Sequence, residues 1–222
     1  MERDYNKTVI FDMDGTILDT EKYYQKYWIM AAEELGYKIT KEQYLGLRSL
    51  GPSFAPARFE ELTGDPDAYV KIRTRRKEMM EPFMNSIEMP VKPFVKEALK
   101  KLGDEGFTLA IATASSKALT EEYLTRAGLV GYFDELISAR MVKEGKPSPD
   151  VYLYACEALN VLPENAFAVE DAPNGVLSAS RAGCRVIMVP DLTEPDEELM
   201  KHIEFRADNI LKAAEYILGI NR

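Results

Sequence analysis

Five short apolar runs, each closed by polar residues, constrain this chain more than any other feature: Thr8-Val9-Ile10-Phe11, Thr108 to Ala112, Glu135-Leu136-Ile137, Ala166 to Val169 and Val186 to Val189. Runs this short and this β-branched suit buried strands better than helices. Between the later runs lie helical patterns at Phe94 to Glu105, Lys117 to Ala127 before Gly128, Pro149 to Leu159 with Ser148 as N-cap, and Pro173 to Ala182 before Gly183. Strands alternating with helices make right-handed βαβ units, so the expected fold class is α/β, a parallel sheet covered on both faces.

The rhythm breaks after the first run, where about 90 residues intervene instead of a short loop and one helix. Tyr24, Tyr27, Trp28, Ala31, Ala32 and Leu35 fall at helical spacing, and Thr40 to Leu47, Ala57 to Leu62 and Asp65 to Met80 read as further helices. The gap is therefore a helical insert, expected to span residues 18–90. Residues 1–17 and 91–222 are expected to form the sheet domain, with Pro90-Val91-Lys92-Pro93 stiffening the return.

Composition narrows the chemistry. The 222 residues carry a formal charge of −9, which argues against a dedicated nucleic-acid or anionic-membrane binder. No apolar run is long enough to cross a bilayer or serve as a signal peptide, so a cytoplasmic protein is expected, acting as a monomer. The one histidine, His202, and two cysteines, Cys156 and Cys184, cannot build a triad or a zinc cluster, and both cysteines read as reduced packing residues. Reaction chemistry must then run on carboxylates, hydroxyls and lysines.

Such groups gather at the predicted strand ends. The first strand runs into Asp12-Met13-Asp14-Gly15-Thr16-Ile17-Leu18-Asp19, three carboxylates around one apolar strand end. Crowded carboxylates repel and need a cation or a shared proton, which a plain turn does not explain. The second strand is followed by Thr113-Ala114-Ser115-Ser116, hydroxyls and backbone N–H groups entering a helix N-terminus where anions are favoured. Lys146 follows the third, in KPSPD, and Glu170-Asp171 end the fourth. In a parallel sheet these ends share one edge, where open α/β sheets bind ligands.

In these motifs the chain resembles the haloacid dehalogenase-like hydrolase superfamily, whose DxDGTxxD pattern matches Asp12 to Asp19. Thr113, Lys146 and Glu170-Asp171 match its later motifs. KPSPD and VEDAPNGVLSASRAG, with the helical insert, look like the beta-phosphoglucomutase and small-molecule phosphatase branch. The resemblance implies a Rossmann-like core with a helical cap domain and phosphoryl transfer through an aspartyl phosphate. Asp12 is the implied nucleophile and Asp14 the implied acid and base. Mg2+ is the implied cofactor, held by Asp12, the Asp14 carbonyl, Asp171 and, directly or through water, Glu170. Thr113, Ala114 and Lys146 are implied to hold the phosphoryl oxygens of a small phosphorylated metabolite, a sugar or polyol phosphate.

Asp14 argues against a dehalogenase, whose leaving halide needs no proton. A response-regulator receiver would place its acceptor Asp after a later strand, and a nucleotide-binding oxidoreductase would need GxGxxG after the first strand. A phosphomutase of the beta-phosphoglucomutase type is the remaining alternative. That type carries a histidine where this chain has Tyr24, which favours hydrolysis. In the cap, Arg48 and Arg75 are the expected partners for a polar or second anionic substrate group. The basic run Lys71 to Lys77 reads as a solvated helix face.

Overall fold

The computed structural model describes residues 7–220. Strands β1 (Thr8–Phe11), β2 (Thr108–Thr113), β3 (Glu135–Ser138), β4 (Ala166–Glu170), β5 (Arg185–Met188) and β6 (Phe205–Arg206) form one parallel sheet, ordered β3-β2-β1-β4-β5-β6. This is the expected α/β, Rossmann-like fold. Phe11 pairs with Ile111 and Val169, so the register sets Asp12 beside Ala112 and Glu170.

Among the described residues ten α-helices accompany the sheet: α1 (Glu21–Glu34), α2 (Lys41–Leu45), α3 (Ala55–Thr63), α4 (Ala68–Ser86), α5 (Val95–Asp104), α6 (Lys117–Arg126), α7 (Asp150–Ala158), α8 (Pro173–Ala182), α9 (Glu197–Met200) and α10 (Ile210–Ile220). Side chains alternate across the strands, as a period of two requires. Val9, Phe11, Leu109, Ile111 and Phe167 pack in one buried cluster with α5 and α10. Ile10, Ala110, Ala112 and Ala168 pack in another with α7 and α8, the alanines leaving room for those helices to approach. Cys156 and Cys184 are free and buried in this second cluster, as packing residues.

Helices α1 to α4 carry a third apolar cluster of their own, including Ala31, Ala32, Tyr44, Phe59 and Ile72. The chain leaves and re-enters the sheet side by side: Asp19 N donates to the Pro90 carbonyl at 3.0 Å and Lys92 N to the Ile17 carbonyl at 3.0 Å. Among the described residues no helix is long and apolar enough to cross a membrane.

Local details depart from the sequence expectations. Helix α4 begins at Ala68 rather than Asp65, because the Asp65 carboxylate accepts the Asp67 N–H at 2.8 Å and holds those residues in a turn. It then continues through Pro82 to Ser86. Ser148 is not the N-cap of α7: its hydroxyl donates to Asp150 at 2.7 Å, and Pro149 precedes the helix without a side-chain cap. Strand β6 and helices α9 and α10 are additions that the sequence reading left out.

The helical layer rests on the sheet domain through a close backbone contact. Gly51 N donates to the Lys146 carbonyl at 2.7 Å, and Gly145 N to Ser53 Oγ at 3.3 Å. A Cβ on Gly51 would lie 2.5 Å from the Gly145 Cα, a backbone atom that cannot swing aside. Gly51→Ala is thus expected to lift the α2–α3 loop off the core. Its mark is amide exchange at Gly51 faster by about tenfold, the loss of one hydrogen bond, in hydrogen–deuterium exchange.

Candidate active site

The register and the strand ends bring Asp12, Thr113, Lys146, Glu170 and Asp171 to one edge of the sheet, all of them buried. Lys146 Nζ lies 2.5 Å from Asp12 Oδ1, 2.6 Å from Glu170 Oε1 and 2.9 Å from the Ala112 carbonyl, which uses all three of its protons. Burial disfavours its charge, but the Asp12 and Glu170 carboxylates outweigh that and hold the pKa above the usual lysine value. Tyr152 on α7 donates to the same Glu170 oxygen at 2.6 Å.

Two glycines make this packing possible. Gly15, at φ +92°, leaves its neighbour Asp171 room: a Cβ there would lie 2.2 Å from Asp171 Oδ2. A Cβ on Gly175 would lie 2.0 Å from Glu170 Oε2.

Asp14 faces a different environment. Its oxygens accept from Thr20 Oγ1 at 2.6 Å and Ser115 Oγ at 3.1 Å. Burial pushes its pKa up to about 6, against the two hydroxyls and with a further push from the Asp12 charge. A carboxyl placed there can hold and release a proton near neutrality. The Asp14 carboxylate is not part of the tight acidic group: Asp12, Glu170 and Asp171 offer oxygens within 4.8 Å of one another.

That donor set suits a hard divalent cation, being all oxygen and strongly anionic. Asp12 Oδ2 supports the fit, since it is buried without a hydrogen-bond partner while its sister oxygen is held by Lys146. Thr113 Oγ1 accepts the Ser115 N–H at 3.1 Å, and Ala114 lies beside it in the wall of a cavity of about 330 Å3 that also contains Asp12, Asp14 and Tyr24.

The two expected cap arginines part company. Arg48 is buried and reaches the centre of the site, where its guanidinium pairs with Asp171, with Glu21 at 3.2 Å and with Thr193 at 3.2 Å. Asn174 at the start of α8 donates to the Arg48 carbonyl at 2.8 Å and fixes the backbone there. Arg75, by contrast, lies off the cavity and is tied to Glu34 at 2.7 Å and Glu78 at 3.0 Å on an exposed face. One step along α4 turns a side chain about 100°, and Arg76, unlike Arg75, lines the cavity, as do Arg73 and Lys77.

Arg76 and Glu21 are site residues that the sequence reading missed. A signal for Arg76 was present, since it lies four residues from each of the buried Ile72 and Met80 and so on the inner stripe of α4. Glu21 is buried beside Arg48, accepts from Tyr44 OH at 3.1 Å, and has its pKa pushed up to about 7 by burial, against the Arg48 charge. Nothing in its sequence neighbourhood distinguished it from a solvated first-turn glutamate.

With this geometry in view, comparison with known proteins is direct. Residues 9–189 match the haloacid dehalogenase-like hydrolase family. The phosphorylated carbohydrates phosphatase of Thermotoga maritima is 32% identical over 177 residues, covering 80% of this chain and 82% of that protein. Fructose-1-phosphate phosphatase YqaB of Escherichia coli is 31% identical over 184 residues, covering 82% and 95%. The structure of CbbY from Rhodobacter sphaeroides in complex with xylulose-(1,5)bisphosphate matches with a TM-score of 0.77 at 28% identity, over 93% of this chain and 95% of that one.

The fold is that of a haloacid dehalogenase-like hydrolase, and the chain belongs to that family. Within it the chain falls in the beta-phosphoglucomutase-like branch, among the phosphoric monoester hydrolases.

Removing the central cation would leave Asp12 and Glu170 buried without their partner. Lys146→Met is therefore expected to destabilise the chelator-treated protein by about 3 kcal/mol. Urea unfolding with EDTA measures this, and added Mg2+ should restore part of the loss.

Proposed function

We propose that this chain hydrolyses a small phosphorylated metabolite, a sugar or polyol phosphate, in a Mg2+-dependent reaction through an aspartyl phosphate on Asp12. The observation that carries this reading is the pair Asp12 and Asp14. Asp12 lines the cavity with one carboxylate oxygen free of hydrogen bonds, while Asp14, two residues on, is held apart by Thr20 and Ser115 with a pKa of about 6. One carboxylate is suited to attack and the other to carry a proton.

In the first half-reaction a carboxylate oxygen of Asp12 bonds to phosphorus and the bond from phosphorus to the ester oxygen breaks. Asp14 gives its proton to the departing alkoxide. In the second, Asp14 takes a proton from water as that water attacks the phosphorus of the aspartyl phosphate, which releases phosphate and restores Asp12. The hydroxyl and backbone N–H groups of Thr113 and Ala114 bind the phosphoryl oxygens, and Lys146 joins them by exchanging one of its three present acceptors for a phosphoryl oxygen. Asp12, Asp171, the Asp14 carbonyl and Glu170 would hold Mg2+, which when bound offsets phosphoryl charge and polarises phosphorus toward attack. Helices of residues 18–90 act as a cap that closes over the site to exclude water and opens to release product.

A sugar or polyol ester is supported by the names of two relatives, a phosphorylated carbohydrates phosphatase and a fructose-1-phosphate phosphatase. Hydrolysis rather than transfer to a second sugar hydroxyl is supported by Tyr24, which stands where the mutase pattern carries a histidine and is half-buried, with the Arg76 guanidinium over its ring.

Asp12→Asn is expected to fold normally and to lose turnover by roughly a thousandfold or more, since an amide is no nucleophile. Phosphate release from fructose 1-phosphate by the wild type and the variant, with circular dichroism as the fold control, checks this. A variant that kept most of its activity would remove Asp12 as nucleophile.

The hydrolase assignment has its own test. Glucose 1-phosphate with a trace of glucose 1,6-bisphosphate should yield inorganic phosphate and no accumulating glucose 6-phosphate. Efficient isomerisation with negligible phosphate release would make the chain a mutase.

A further inference from the structure

The cavity above Asp12 and Asp14 continues into the helical layer, and its 330 Å3 is several times what a phosphate group fills. The surplus volume has a defined chemistry. On one side stand Trp28, Phe59 and Tyr69, with Trp28 4.9 Å from Phe59 and 6.2 Å from Tyr69 between ring centroids, the latter pair at an interplanar angle of 18°. Because Trp28 and Tyr69 already lie on each other, no flat base fits between them, which would need roughly 7 Å for contact on both faces. The rings form a one-sided aromatic wall.

Arg76 stands between that wall and the reacting carboxylates. Its guanidinium lies 5.1 Å from the Tyr24 ring and 5.3 Å from the Trp28 ring, and Nη1 meets Met80 Sδ at 3.6 Å. Among the described residues no carboxylate is paired with it, and its Nε is buried without a hydrogen-bond partner. A guanidinium at the cavity wall that no carboxylate engages keeps N–H groups to donate to a ligand oxygen. Arg48, which lines the cavity along with Arg73, Lys77 and Arg140, is already engaged by Glu21 and Asp171.

We infer that Arg76 and the Trp28–Tyr69 wall form a leaving-group subsite that selects ring-form sugar phosphates over open-chain ones. A sugar ring has hydroxyl oxygens at its rim and a face of C–H bonds. The rim oxygen nearest the ester accepts from Arg76, and the C–H face lies on the aromatic wall. An open-chain ester such as a glycerol phosphate or phosphoglycolate can supply the oxygen but has no ring face for the wall. The inference rests on the phosphatase reading for the ester itself, yet the binding it describes requires no turnover.

Trp28 is the one tryptophan of the chain, so its fluorescence reports directly on the wall. The Asp12→Asn protein with MgCl2 is titrated with glucose 6-phosphate and ribose 5-phosphate as ring esters, and with glycerol 1-phosphate and phosphoglycolate as open-chain ones. Ring esters should bind about tenfold more tightly and alter Trp28 emission. Adding Arg76→Met, or separately Tyr69→Leu in case the first variant folds poorly, should bring ring binding down to the open-chain value. Equal affinities across the two sets, ring binding with unaltered emission, a ring preference that survives both substitutions, or no binding at millimolar concentration would each overturn the subsite. If the wild type releases no phosphate from any of the four while the ring preference in binding holds, the reading of these sugar esters as substrates falls and the subsite stands.

Discussion

A buried lysine surrounded by carboxylates is the interaction on which the rest of this structure depends. Asp12, Glu170 and Asp171 lie out of water at the end of the sheet, an arrangement that self-repulsion would break up. Lys146 bridges Asp12 and Glu170 and spends its last proton on the Ala112 carbonyl, so β1, β2 and β4 are joined through one ammonium group. The charge it leaves over is still negative, which is why the site suits a divalent cation and, with that cation, an anionic substrate.

The same edge explains where the helical insert sits. Arg48 comes down from the loop after α2 to Glu21 and Asp171, Asn174 holds its backbone, and Gly51 closes against the loop that carries Lys146. Four separate segments of the insert and the core thus converge within reach of the reacting groups. Farther from the carboxylates the cavity is lined by α1, α3 and α4, where the rings of Trp28, Phe59 and Tyr69 stand beside the basic Arg73, Arg76 and Lys77.

Much of the sheet domain was legible in sequence because its strands are buried on both faces. Val9-Ile10-Phe11 and Ala166 to Val169 are apolar without interruption and bounded by polar residues, which leaves few alternatives to a central parallel strand. Phe205–Arg206 has two residues and no pattern, and it is a strand only because β5 offers an open edge. Asp65 shows the opposite failure, a residue inside a helical pattern whose side chain bonds its own backbone more favourably than the helix does.

The sequence by itself determined the order of the strands' chemical endings: carboxylates after β1, hydroxyls after β2, lysine before α7, carboxylates after β4. Local apolar patterning decides where a strand stops, and the residues that follow are then committed to its end. That the inner stripe of α4 meets the cavity was decided only by tertiary structure. The spacing of Arg76 from Ile72 and Met80 puts it on that stripe, and the packing of α4 by those two residues turns Arg76 over Tyr24 and Trp28 and leaves Arg75 to Glu34. Helix phase relative to a neighbour is set by the fit of whole faces, a sum over many contacts that no single residue's identity contains.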